Sequence, residues 1–213
     1  LRMSVGIHTG AVHMFRVGAS HRELILTGPA ASVTAEMEAT ADAGEIVVGS
    51  ATKHMLPVGA APVAKGNGWV LRWRKSRAEL PGWTQRAAVP PEAIAIGLSV
   101  ALRTFLQSGE TEPEHHIATV GFVKFQGTDE LMATLGPEAV ADALDALIRA
   151  VQDAADTEGV TFLATDIDPD GGKIILVAGV PGAQEDDEGR LLRVARAIND
   201  YGGSLTLKIG INQ

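Results

Sequence analysis

The sequence has 213 residues, 46% of them apolar and 21% charged, no cysteine, and a net charge of −8. That length suits one large or two small domains, and the balance is that of an ordinary folded protein. The missing cysteine excludes disulfides, thiolate metal sites and cysteine nucleophiles, and an acidic chain without a Lys/Arg stripe argues against a nucleic-acid surface.

The missing cysteine fits a cytoplasmic protein, and no apolar run reaches the ~18 residues of a membrane span, so no membrane partner is expected. Leu1-Arg2-Met3 is no signal peptide and reads as mid-strand, which points to a natural N-terminus elsewhere.

In chain order, period-two alternation predicts a strand over 1–8, turning at Thr9-Gly10 into a strand over 11–16. A third strand is predicted over 22–27. Gly28-Pro29 opens a helix over 30–41, Gly44 ends it, and 45–48 is a strand. Ser50 caps a short helix to Met55. Residues 57–68 read as loop, 69–74 as a strand and 76–90 as a Pro-containing linker. A helix follows over 92–106, then a polar break over 108–114.

The last stretch has the clearest pattern. Strand 117–125 precedes a short helix over 129–135 and a long one from Pro137 to about 157, with Leu144, Leu147, Ile148 and Val151 on one face. Strand 160–166, a tight turn at 168–172, strand 173–179, helix 188–200 and strand 205–211 complete a β-α-β-β-α-β order. That is an α+β, ferredoxin-like arrangement. The two ends also match. Leu1-Arg2-Met3-Ser4-Val5-Gly6-Ile7-His8 and Leu205-Thr206-Leu207-Lys208-Ile209-Gly210-Ile211-Asn212 share one pattern, as if the chain began and ended on the same element of a duplicated unit.

Specific residues carry a family resemblance. Val5-Gly6-Ile7-His8-Thr9-Gly10, Val17-Gly18, the segment Arg22-Glu23-Leu24-Ile25-Leu26-Thr27-Gly28 and Gly44-Glu45-Ile46-Val47-Val48 follow, in order, the second half of a class III adenylyl or guanylyl cyclase domain. Residues 117–213 resemble the first half of such a domain. The chain is thus similar to tandem, soluble-adenylyl-cyclase-like proteins. The resemblance divides it into the back half of cyclase domain one (1–75), a linker with a helix (76–116) and the front half of domain two (117–213).

In an active relative, two metal-bound aspartates would assist attack of the 3′-hydroxyl on the α-phosphate of ATP, giving cyclic AMP and pyrophosphate. Here Lys124 and Gly172 fall at those places by alignment, and Ser32 and Glu36 replace the helix residues that orient ribose and stabilise charge. The resemblance implies a degenerate, regulatory pseudo-site, with no catalytic residue, metal ligand or cofactor of its own. Mg²⁺ or Mn²⁺ would belong to the parent enzyme. Lys124 reads either as an anion site, for bicarbonate or phosphate, or as a salt-bridged remnant paired with Glu36. Thr165, Asp166 or Asp168 could line a purine or ligand edge.

Implied partners are the remaining cyclase halves, or a second copy in a domain-swapped homodimer. Residues 1–75 must either complete the 117–213 core or swap, since bare strand edges aggregate. The alternative is a ferredoxin-like small-ligand sensor unrelated to cyclases.

Other signals read as structure. Asp166-Ile167-Asp168-Pro169-Asp170-Gly171 starts like a calcium loop, but its twelfth position is Val177, so it reads as a solvated acidic hairpin. Gly171-Gly172-Lys173 lacks the spacing of a phosphate loop. His8 with His13, and His115 with His116, lack the further ligands of a zinc set.

Overall fold

A computed structural model describes residues 2–72, 89–109, 115 and 117–213. In chain order the elements are β1 (Val5–Ile7), β2 (His13–Val17), β3 (Glu23–Thr27), α1 (Pro29–Thr40), β4 (Ile46–Val48), α2 (Ser50–Met55), β5 (Val63–Lys65) and β6 (Gly68–Val70). Then come α3 (Pro91–Ala95), α4 (Val100–Ser108), β7 (Thr119–Gln126), α5 (Thr128–Leu135), α6 (Pro137–Glu158), β8 (Thr161–Asp168), β9 (Gly171–Ala178), α7 (Asp187–Asn199) and β10 (Thr206–Asn212).

The α+β class holds. β7 to β10 form an antiparallel sheet in the order β10-β7-β9-β8, with α6 and α7 supplying the cover. α6 starts at Pro137, whose missing N–H costs nothing there. It ends at Gly159 in the left-handed region, where Val160 N–H donates to the Ala155 carbonyl and Gly159 N–H to that of Asp156. Its expected apolar face, Leu144, Leu147, Ile148 and Val151, is fully buried in the core, joined there by Val140.

The first stretch differs from expectation in its pairing. Strands 1–8 and 11–16 do not form a hairpin. β1 pairs in parallel with β4, in a sheet ordered β1-β4-β6-β5, while β2 pairs with β3. The region read as loop contains β5, joined to β6 through Gly66-Asn67, a dipeptide suited to a two-residue hairpin. The helix expected over 92–106 breaks into α3 and α4 around Gly97, with Ser99 preceding the second piece. Most of the expected linker over 76–90, the end of strand 69–74, most of the polar break over 108–114 and His116 lie outside the described residues.

Residues 2–72 pack on the β7–β10 unit without sharing a sheet with it. Val17 of β2 and Ile25 of β3 are buried in the same apolar cluster as Phe125, Leu144, Ile148, Phe162 and Leu191. Polar contacts reinforce this. Gly18 N–H donates to Asp145 Oδ1 at 2.9 Å and Ala19 N–H to Gln152 Oε1 at 2.7 Å, while Gln152 Nε2 donates to the His21 carbonyl at 3.0 Å. Gln152 is fully buried, so its two bonds satisfy side-chain groups that water cannot reach. The buried His21 ring meets Glu23 Oε1 at 3.1 Å and stands edge-on to Phe162.

Candidate functional site

Some of the sequence-predicted site residues, Ser32, Lys124 and Asp168 among them, lie where α1 meets the open end of the β7–β9–β8 sheet. β7 ends at Gln126, Gly127 makes the turn, and α5 begins at Thr128. Opposite lies the two-residue β8–β9 turn, Pro169-Asp170. Proline favours the first turn position, and Asp170 takes the second with φ 60°, a left-handed conformation that costs a non-glycine residue energy unless its side chain is held.

That side chain is held. Asp170 Oδ1 accepts the Asp129 N–H at 2.9 Å and Oδ2 the Gly127 N–H at 3.1 Å, while the Asp170 carbonyl accepts from Gly127 and Thr128. Ser32, buried on α1, closes the cluster: its Oγ donates to Asp129 Oδ2 at 2.6 Å and accepts the Asp170 N–H at 2.8 Å. Beside it, the hydroxyls of Thr27 and Thr128 bond at 2.6 Å across the same junction. The other carboxylate oxygen of Asp129, Oδ1, is buried without a partner.

Lys124 lies on the outer face of β7, and its Nζ is 2.8 Å from Asp168 Oδ2. The expected pairing with Glu36 does not occur. Glu36 lies exposed on α1, while Asp168 reaches across β9, where its register partner Gly171 has no side chain. Of the three edge candidates, Asp168 and Asp166 are committed to ion pairs, the latter with Lys173 at 3.0 Å. Thr165 Oγ1 donates to Glu23 Oε2 at 3.1 Å.

The register places Lys173, not Gly172, directly opposite Lys124. Gly172 pairs with Phe125 and shares its core-facing side. A Cβ there would lie 2.7 Å from the Phe125 ring and 2.8 Å from the Asp166 carbonyl. Two ligands of one ion must share a face, so position 172 cannot join position 124 in holding a metal. Lys173 is thus the residue that sequence reasoning missed. Its signal was parity: on paired strands, a one-residue offset moves a side chain to the other face.

The site presents two ammonium groups in register on one face of the sheet. Ammonium groups donate but have no lone pair to give, so these residues do not fit a divalent cation. Among the described residues, no group of three or more His, Cys, Asp or Glu is arranged to hold a metal ion. His8 Nδ1 is buried without a partner and lies near Gly49, and His13 stacks on Phe15. No helix among the described residues is long and apolar enough to cross a membrane.

Residues 1–74 match the family model described as the adenylate and guanylate cyclase catalytic domain. That segment, about a third of the chain, is nucleotide-cyclase-like. No curated protein matches the chain.

Proposed function

We propose that the chain is the catalytically silent, regulatory portion of a class III adenylyl cyclase, holding a degenerate pseudo-site. In this reading, 1–75 is the back half of one cyclase homology domain, 76–116 a linker and 117–213 the front half of the next. The parent protein would convert ATP to cyclic AMP and pyrophosphate at a second site built from its remaining halves. The cyclase match over 1–74 and the βαββαβ order of the second stretch support it.

One observation carries the silence: Lys124 is locked to Asp168 where metal chemistry needs a free carboxylate. A lysine there repels Mg²⁺ and Mn²⁺. The test is cyclic-AMP production by the purified chain with ATP and excess Mn²⁺. The expected result is no product above a no-enzyme control. Metal-dependent turnover that disappears in Asp166→Ala or Asp168→Ala would reject the reading and place a working site in the acidic hairpin.

A further inference from the structure

Resting on that silent-cyclase reading, we infer that the pseudo-site is self-occupied: the chain's own side chains fill the places of both the metal ions and the phosphates. The cationic part is the pair Lys124 and Lys173, opposite each other on β7 and β9. Like charges in register destabilise a sheet unless they are compensated. Asp168 and Asp166 compensate them one to one, at 2.8 and 3.0 Å.

The anionic part is Asp170. The turn into α5 offers the backbone amides of Gly127, Thr128 and Asp129, an arrangement suited to an anion. Those amides already have partners, for the carboxylate of Asp170 takes the first and third and its carbonyl the first and second. Ser32 of α1 then bonds both Asp129 and the Asp170 amide, so the filled cradle is bolted to residues 2–72.

Charges paired internally compete with a ligand. A phosphate would have to displace three carboxylates and a metal two ammonium groups, the two ion pairs being partly exposed and each weak on its own. The site therefore acts as a closed cluster, joined to residues 2–72 through Ser32, not as a receptor for a metal–nucleotide or a small anion.

The experiment is titration of the full chain with inorganic tripolyphosphate, with and without Mn²⁺, followed by calorimetry and by backbone amide shifts at 127–129 and 124. The wild-type chain is expected to show neither heat nor shifts at these residues. Shifts there would overturn self-occupation without any variant being made. In the triple variant Asp166→Asn, Asp168→Asn, Asp170→Gly, two lysines and the turn amides are released. It is expected to bind tripolyphosphate without metal, at least about tenfold tighter than the wild-type limit. Adding Lys124→Ala and Lys173→Ala should abolish that gain. A folded triple variant that binds no better than wild type, or a gain that survives loss of both lysines, would overturn the inference. Cyclic-AMP turnover is the separate test of the reading beneath it. A chain that binds tripolyphosphate yet makes no product loses self-occupation and keeps the silent-cyclase reading.

Discussion

Lys124 and Lys173 face each other in register across β7 and β9, two like charges held side by side because Asp168 and Asp166 each neutralise one. Replacing Asp168 with Asn keeps the shape and removes the charge. The variant should lose about 0.5–1 kcal/mol at low ionic strength, for a partly exposed pair. Most of that loss should disappear in ~1 M salt, where the screening length falls to about 3 Å. Urea denaturation at two salt concentrations checks this. A loss independent of salt would mean that Asp168 acts through packing and not through charge.

Gly172 is a steric requirement of Phe125. Gly172→Ala puts a methyl group 2.7 Å from that fully buried ring and 2.8 Å from the Asp166 carbonyl. Overpacking of this kind costs about 1–3 kcal/mol, measurable as a lower denaturation midpoint with an unchanged m-value. Gly182→Ala, where an added Cβ meets nothing within 4 Å, serves as the control.

Gln152 holds the 18–21 turn onto α6 through its side-chain oxygen and nitrogen together. Gln152→Ala leaves the Ala19 amide and the His21 carbonyl without those partners. The expected loss is about 1–3 kcal/mol, with faster hydrogen exchange at Ala19. Unchanged exchange there would show that the apolar contacts of Val17 and Ile25 suffice to dock the hairpin.

The same docking should weaken in acid. The Arg149 guanidinium holds the Asp145 carboxyl below its ordinary value, against a desolvation that raises it, and the Gly18 amide adds to the lowering. A carboxyl lowered in the folded state stabilises folding above its unfolded value of ~3.9, and that contribution fades as pH falls through the lower, folded value. Stability should therefore drop below about pH 4 in the native chain. The drop should be smaller in Asp145→Asn, as read by thermal melts from pH 6 to pH 3. Equal pH dependence in the two proteins would remove Asp145 from the account.

Much of the second stretch was legible because its signals are local. Pro137 and Gly159 bracket α6, and the spacing of Leu144, Leu147, Ile148 and Val151 marks one helical face. What could not be read was partnership. Period two says which side chains share a face, but not which strand lies alongside. So the expectation turns strand 1–8 back on 11–16, whereas β1 pairs with β4, Val5 with Ile46. The site shows the same limit. The resemblance points to Lys124 and leaves Thr165, Asp166 and Asp168 open as an edge, yet it pairs Lys124 with Glu36 and matches it with Gly172. Only the β7–β9 register brings Lys173 forward. Gly66-Asn67 was a local signal for the β5–β6 hairpin that the loop-like composition around it obscured.

Val17 and Ile25 belong to the first stretch of chain, yet they are buried among side chains of α6, β7 and β8. Neither stretch has a complete interior without the other. Heat or denaturant should therefore melt them in one transition, and a single backbone cut between them would leave a nicked but associated protein. The two stretches are separate in sheet and in sequence, and one object in thermodynamics.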